Sequence, residues 1–174
     1  MHRRRRLGFV LVAALTTCAA CGEHESAPRT LTAEQQVLAD AIVSRRYKMK
    51  ELDVELKNLR DGVSSENPDR HAMAFGAKTV RSHSRGQLDW FPEGSGPELG
   101  IETLAKPEIW QNWADFEAAA DDFEAVSDEL ATVMGDPDAT PAERSAQVKA
   151  TMASCNSCHA RFRKRVVPGK EVER

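Results

Sequence analysis

Two cysteines and a histidine near the end of the chain carry its clearest chemical signal. Cys155 and Cys158 stand three positions apart, and His159 follows directly. Two thiols at this spacing can form thioether bonds with the vinyl groups on one edge of a haem, and the adjacent imidazole can ligate the iron. The spacing therefore predicts one covalently bound haem c, with Cys155 and Cys158 as its anchors and His159 as an iron ligand.

Two other chemistries use cysteines at this spacing. A redox dithiol needs the thiols but not the histidine, and a zinc site needs about four ligands. The chain has two further cysteines, Cys18 and Cys21, which lie in a segment that we expect to be removed or lipidated. Haem attachment is favoured because it uses all three residues, and a haem-free dithiol protein stays open as the alternative.

The first twenty residues have the pattern of an export signal. Four arginines are followed by an apolar stretch, 7–15, and then by small residues, which is the order found in signal peptides. An apolar stretch of about nine residues is too short to span a bilayer as a helix. We therefore expect residues 1–20 to direct the protein out of the cytoplasm, where haem of this type is attached.

The end of this signal resembles that of a bacterial lipoprotein. Cys21 follows two alanines and precedes a glycine, so it is the favoured lipidation site, with Cys18 as the weaker candidate. Ordinary cleavage after Ala20 is the alternative. The expected location is the periplasm, with a lipid anchor to a bacterial membrane and a tether over residues 21–31.

The charge balance excludes some partners. Removal of residues 1–20 takes away four of the 24 basic residues and none of the 27 acidic ones. An acidic chain is poorly suited to nucleic acid or to an anionic membrane surface. We expect membrane contact only through the lipid anchor, and a redox protein as the macromolecular partner.

The remaining chain has the pattern of an all-α protein. Its 174 residues are 41% hydrophobic, which suits one domain. Four segments carry apolar residues at a period of nearly 3.5, joined by two short connections and one long loop, 89–106. The pattern predicts an antiparallel up-down-up-down four-helix bundle over residues 32–167, with crossing angles of about 20° and a frayed tail, 168–174.

The first predicted helix begins at a capping box, Thr32 with Gln35. Its apolar stripe contains one arginine, Arg45, and the stripe's other members are Leu38, Ile42, Met49, Leu52, Leu56 and Leu59. Pro68 is expected to open the second helix at its first turn. The second helix has a weaker stripe, which runs Met73, Ala77, Val80, Ser84 and Leu88.

The third predicted helix begins at Pro107 and ends at a capping glycine, Gly135. Its stripe runs Ile109, Trp113, Phe116, Ala120, Phe123, Ser127, Leu130 and Met134. The fourth helix begins at a capping box formed by Thr140 and Glu143 and extends to Pro168. Its stripe runs Val148, Met152, Cys155, His159, Phe162 and Val166, so the haem is expected inside the bundle.

Over residues 39–165 the chain resembles cytochrome c′, the class II c-type cytochromes. The resemblance lies in the CNSCHARFR run from Cys155 and in three other segments, which are the run from Arg45 to Leu56, the loop 91–95, and 107–110 with Phe116. It implies thioether anchors at Cys155 and Cys158 and a proximal ligand at His159. It also implies that Phe162 and Arg163 lie near the haem, although the residues alone allow Arg163 to be a solvated helix-end charge.

The resemblance also indicates which residues face the opposite, distal side of the haem. In the family, the residue four positions after an arginine of the first helix faces the distal side, and here that residue is Met49. Leu52 and Leu56 are then expected to pack on the macrocycle. Arg45, an arginine on a buried stripe, is expected to pair with a haem propionate.

Met49 decides between two functions. As a sixth iron ligand, as in the low-spin branch of the family, it would make the protein a single-electron carrier, which is the leading hypothesis. As a residue that only blocks the distal face, it would leave a five-coordinate, high-spin haem that binds nitric oxide or carbon monoxide. Methionine at such a position is otherwise an ordinary core residue.

Nothing in the sequence points to an enzyme, because no paired carboxylates or nucleophile with a base stand in a recognisable pattern. Members of the family are often dimers through their first two helices. The outer face of the first predicted helix is charged and shows no clear apolar patch, so a homodimer stays open.

Overall fold

The computed structural model describes residues 30–165. The predicted export signal, the lipidation site, most of the tether and the frayed tail lie outside the described residues. The helices are α1 Ala33–Val63, α2 Arg70–Ser84, α3 Glu108–Gln111, α4 Trp113–Gly135 and α5 Pro141–Phe162. Short 3-10 turns, Leu88–Trp90 and Pro97–Leu99, lie in the connection between α2 and α3.

The four long helices form a closed ring. Helix α1 packs on α2, α2 on α4, α4 on α5, and α5 returns to α1. The antiparallel pairing of α1 and α2 is visible at two places, where Gly62 lies against Met73 and Glu51 contacts His83. The predicted all-α, antiparallel four-helix bundle is confirmed.

Both predicted capping boxes are present. The Thr32 hydroxyl accepts from the Gln35 backbone N–H at 3.2 Å, and the Gln35 side chain accepts from the Thr32 N–H at 3.1 Å. At the start of α5 the Thr140 hydroxyl accepts from the Glu143 N–H at 3.2 Å, and the Glu143 carboxylate accepts from the Thr140 N–H at 2.7 Å. These reciprocal bonds fix where the first and last helices begin.

Two other predicted helix ends were wrong. Helix α2 does not begin at Pro68 but at Arg70, because the carboxylate of Asp69 accepts from the Ala72 N–H at 3.0 Å and caps it. Gly135 is the last residue of α4 and does not cap it in a left-handed conformation, since the extended residue Asp136 ends the helix.

The third predicted helix is broken. Asn112 has φ −129° and ψ 53°, which separates α3 from α4. Its backbone oxygen nevertheless accepts from the N–H groups of Asp115 and Phe116 at 3.1 Å, so it starts a new helix. The break turns Trp113 outward to 36% exposure, although the stripe pattern placed it in the core.

Helix α5 ends at Phe162, before the predicted end at Pro168. Arg163 is extended and forms an antiparallel bridge with Ala105. On either side of this bridge, the Lys106 N–H donates to the Phe162 oxygen at 2.9 Å and the Lys164 N–H to the Leu104 oxygen at 2.8 Å. The long connection therefore terminates the last helix through its backbone.

The core follows the predicted stripes. Ile42, Leu59, Val80, Leu130 and Val148 are at most 1% exposed. Within residues 30–165, no helix is both long enough and apolar enough to cross a bilayer.

Candidate haem site

The two cysteines of the motif lie on one side of the last turns of α5. Residues three apart on a helix are neighbours, and both thiols are free and half-buried. Cys155 and Cys158 pack against the main hydrophobic core, as do Met152 of α5 and Met49 of α1. Two free thiols on one side of a helix, packed against the core, are what attachment of a haem requires.

The thiols are not tuned for redox exchange. Burial raises the pKa of Cys155 to about 11, and the neighbouring Cys158 adds to the shift. Burial also raises the pKa of Cys158, opposed by the charge of Arg161. Reactive dithiols instead have a lowered pKa, so the arrangement disfavours the haem-free dithiol interpretation.

A zinc site is also disfavoured. Among residues 30–165, no three histidine, cysteine or acidic side chains are grouped closely enough to hold a metal ion. A structural zinc site needs about four such ligands.

His159 lies half-buried next to Cys158. Burial lowers its pKa, the charge of Arg163 lowers it further, and Asp53 of α1 opposes the shift. Neutral imidazole is the form that binds metals. The donor set of two free thiols and one neutral imidazole therefore fits a covalently bound haem.

The distal candidates lie on α1. Met49 is half-buried, while Leu52 and Leu56 are 5% and 8% exposed. All three belong to the core region that also contains the cysteines. The structure thus brings these predicted residues to the side of α1 that faces the interior, with Asp53 near His159.

Arg45 is buried at 3% exposure. Its Nη1 donates to the Ser95 hydroxyl at 2.9 Å, and its Nη2 to the Ser95 carbonyl at 2.7 Å and the Thr103 hydroxyl at 2.9 Å. The guanidinium also lies 4.9 Å from the centre of the Phe91 ring. Burial lowers the Arg45 pKa to about 10, against the charge of Glu98, so the group is still a cation at neutral pH.

The residues after the haem motif take different positions. Phe162 is 4% exposed and packs edge-on against Phe116, with ring centres 5.2 Å apart. The Arg163 side chain is exposed, but its backbone N–H donates to the His159 oxygen at 3.1 Å. Arg163 therefore lies directly after the end of α5, and its charge contributes to lowering the pKa of His159.

Sequence reasoning missed two residues that support this region. Lys106 Nζ donates to the Arg161 carbonyl at 2.9 Å and so caps the end of α5. Trp110 Nε1 donates to the carbonyls of Phe91 and Pro92 at 3.1 and 3.2 Å. Trp110 was part of the resemblance but received no role, and Lys106 gave no signal beyond its place before Pro107.

The remaining described histidines lie elsewhere. His71 is exposed on α2. His83 contacts Glu51 at 3.3 Å and packs edge-on against Trp90. Both lie on α2, whereas the predicted iron ligand lies on α5.

A four-helix bundle with this motif on its last helix defines a class of haem protein, the bundle-type c cytochromes. A profile of the family described as Cytochrome C' matches residues 40–163. This chain belongs to the cytochrome c′ family, whose members carry one covalent haem c bound through cysteines.

Similarity to individual relatives agrees with this family assignment. The chain is 38% identical over 72 residues to cytochrome c′ of Rubrivivax gelatinosus, which covers 41% of this chain and 54% of that relative. It is 28% identical over 126 residues to cytochrome c-556 of Agrobacterium tumefaciens, which covers 72% of this chain and 98% of that relative. The chain thus spans about half of the first relative and nearly all of the second.

Solved structures share the fold. The crystal structure of cytochrome c′ from Rubrivivax gelatinosus superposes with a TM-score of 0.65 at 28% identity, covering 73% of this chain and 97% of that one. Cytochrome c′ from Thermochromatium tepidum gives a TM-score of 0.68 at 19% identity, covering 74% and 97%.

Proposed function

We propose that this protein is a periplasmic monohaem cytochrome that takes up a small diatomic ligand, nitric oxide or carbon monoxide, on the side of Met49. Cys155 and Cys158 hold the haem, and His159 ligates its iron from α5. When bound, the haem supplies a one-electron couple and a site for such a ligand. We assign the protein no catalytic turnover of a substrate.

Membership of the cytochrome c′ family carries this proposal. Two solved structures with the same fold are nitric oxide complexes of cytochrome c prime variants from Alcaligenes xylosoxidans, at 21% and 20% identity. The comparisons therefore favour gas binding over the electron carrier that was the leading hypothesis from sequence.

The role of the α1 side chains is steric. A ligand that arrives on this side must pass Met49, which is followed one and two turns along α1 by the buried residues Leu52 and Leu56. Met49 is half-buried, and methionine is flexible enough to move aside at low cost. We therefore expect uptake to be slow but complete.

Carbon monoxide uptake by the reduced holoprotein tests the proposal. We expect a high-spin ferric spectrum, binding of carbon monoxide, and faster binding in Met49→Ala because the obstruction is shortened. Met152→Ala, which shortens a half-buried methionine of the same core region on α5, is the matched control and should bind at the original rate. A low-spin protein that excludes carbon monoxide contradicts the proposal.

A single-electron carrier with Met49 as the sixth ligand is the second candidate. The packing of Met49 against the same hydrophobic core as both cysteines supports it. In that case Met49→Ala converts a low-spin ferric spectrum to high-spin and abolishes a sulfur-to-iron absorption band. The same pair of variants thus separates the two candidates.

The arginines are assigned supporting roles. Arg45 keeps its proposed contact with a haem propionate, in addition to its bonds with the loop. Arg163 is proposed to lie beside the haem edge through its proximity to His159.

A periplasmic location follows from family membership and from the predicted export signal. The lipid anchor at Cys21 rests on the sequence alone. Cell fractionation of the full chain tests it, because Cys21→Ala should move the protein from the membrane to the soluble periplasmic fraction.

Self-association is proposed through the outer face of α1. Val43, Tyr47 and Val54 are 45%, 68% and 46% exposed, and their spacing places them on one helix face, which the sequence interpretation did not recognise as a patch. One structure with the same fold is a cytochrome c′ with ligand-controlled dimer dissociation. Tyr47→Asp should shift a dimer to monomer in sedimentation, whereas Thr132→Asp, at an exposed position on α4, should not.

A further inference from the structure

Three aromatic rings run in contact from the end of α5 to the protein surface. The ring centres of Phe162 and Phe116 lie 5.2 Å apart, and those of Phe116 and Trp113 lie 5.6 Å apart. Exposure rises along this aromatic row from 4% at Phe162 and 2% at Phe116 to 36% at Trp113. The row therefore joins the helical turn that follows His159 to the surface.

Trp113 lies at the edge of an open cleft of about 550 Å³, here called the Trp113 cleft. Besides Trp113, it is lined by Leu88, Asp89, Phe91, Glu93 and Trp110. Phe91 connects this cleft to the aromatic row, since its ring centre lies 4.8 Å from that of Phe116. Hydrogen bonds from Trp110 Nε1 to the backbone of the loop hold the cleft in shape.

The ionisable side chains that line the cleft all carry the same sign of charge. Its two ionisable lining residues, Asp89 and Glu93, are both acids. Arg161 lies over the Phe162 ring, but its guanidinium is ion-paired with Asp115. The buried Arg45 guanidinium lies beneath the cleft, 4.9 Å from the Phe91 ring and 5.7 Å from the Trp110 ring, but it forms no ion pair with Asp89 or Glu93. A surface that combines exposed aromatic area with unpaired carboxylates complements a basic protein.

We propose that the Trp113 cleft is the docking surface for a basic redox protein, with Trp113 as its central contact and the aromatic row as the route for one electron to the haem that α5 carries. The partner would give up one electron, and the bound haem, which supplies a one-electron couple, would accept it, so no bond would form or break. The proposal rests on the proposed haem attachment, but it holds whether Met49 binds the iron or only blocks it.

The size and composition of the surface fit such a partner. Redox complexes are small and transient, and aromatic residues are enriched where proteins meet. Opposite charges around a small apolar centre speed the encounter without making it tight. The short helix α3 and the break at Asn112 are what place Trp113 on the surface beside the cleft.

Binding is measured first, by NMR titration of the isotopically labelled holoprotein with a mitochondrial-type cytochrome c, a small basic protein. We expect shift changes to map to residues 88–93 and 110–117 and to weaken with added salt. An acidic flavodoxin should cause none of them. Changes that map elsewhere, or equal binding of the acidic protein, overturn the proposal.

Variants then test the contact. Trp113→Ala should weaken binding about tenfold, as expected when a central tryptophan contact is lost. Phe75→Ala, which removes a ring that is 71% exposed on α2 and outside the cleft, should bind like the original protein. If Trp113→Ala does not fold, the double variant Asp89→Asn with Glu93→Gln must still weaken binding at low salt, and unchanged affinity overturns the proposal.

Electron transfer is measured last, in rapid mixing with the reduced basic cytochrome and with a small uncharged reductant. Trp113→Ala should slow the first reaction about tenfold, in line with its affinity, and leave the second unchanged. A slower reaction with both reductants would show a disturbed haem and overturn the docking role. Absence of haem absorption would instead overturn the proposed function, so the two failures are distinguishable.

Discussion

Two connections between helices, one long and one short, are each held by a buried arginine. Arg45 holds residues 85–107, between α2 and α3, through Trp90, Ser95 and Thr103. Arg144 holds residues 136–140, between α4 and α5, through the carbonyls of Met134, Asp136 and Ala139. The two arginines are 3% and 5% exposed, and their hydrogen-bond acceptors within residues 30–165 are all neutral oxygens.

The connections differ in what surrounds the acceptors. Ser95 and Thr103 are 0% and 8% exposed, so water cannot replace the Arg45 guanidinium there. Asp136 is exposed and Ala139 is half-exposed, so water can take over part of the role of Arg144. The difference indicates that the long connection depends more on its arginine than the short one does. The neutral acceptors that both share show that a buried arginine does not by itself indicate an anion.

The largest effect is expected for Arg45→Met. The substitution leaves buried acceptors without a donor, which costs about 3 kcal/mol in the free energy of unfolding. Urea unfolding of the holoprotein measures it. The haem spectrum should also change, because the loop that Arg45 holds reaches the end of α5. A change of less than 1 kcal/mol in the free energy of unfolding, on the scale of an ordinary surface substitution, would show that the long connection does not depend on Arg45.

Arg144→Met should cost less, about 2 kcal/mol, because exposed carbonyls of the short connection regain water. The same urea titration measures it. The haem spectrum should stay unchanged, since this connection lies at the far end of α4 from Trp113. A larger loss than that of Arg45→Met would reverse the order proposed for the two connections.

Loss of a cap in the short connection should be smaller again. Thr140→Ala removes the hydroxyl that accepts from the Glu143 N–H, at a cost of about 1 kcal/mol. Thr132→Ala on the exposed side of α4 is the control. The Thr132 hydroxyl donates only to the Asp128 carbonyl of the same helix and caps no helix end. Equal midpoints of thermal unfolding for the two variants would show that the cap contributes nothing.

Acid should loosen the short connection through the same cap. Hydrogen bonds from the Thr140 backbone and hydroxyl lower the pKa of Glu143 from 4.5. Its contribution to stability is complete above pH 4.5 and is lost as the pH falls through the lowered value. Glu143→Gln keeps the cap but cannot titrate, so the difference in stability between this variant and the original should shrink in acid. A difference independent of pH would exclude this role.

Much of the fold could be predicted from local chemistry. Thr32 with Gln35 and Thr140 with Glu143 satisfy each other within four residues, so the sequence alone places both helix starts. The break at Asn112 and the end of α5 at Phe162 could not be predicted in this way. The α5 end depends on pairing with Ala105, which is distant in the chain, and the break depends on a backbone conformation at Asn112 that the stripe pattern does not reveal.

The candidate site also has one part that could be predicted from the sequence and one part that could not. Cys155, Cys158 and His159 are neighbours in sequence, and their pattern alone indicates haem. The surroundings of Arg45 are not local, because its partners Ser95 and Thr103 lie in a loop about fifty residues away. Burial of a cation on a stripe suggested an anion, whereas the loop oxygens that satisfy it are visible only in three dimensions.

All three tryptophans of the chain, Trp90, Trp110 and Trp113, lie at the Trp113 cleft or directly before Phe91. Helix α4 is about 35 Å long at 1.5 Å per residue, so the short connection lies far from all of them. Tryptophan fluorescence therefore reports on one end of the bundle. An emission change would follow release of the long loop, whereas fraying around Arg144 would be detected by circular dichroism and missed by fluorescence.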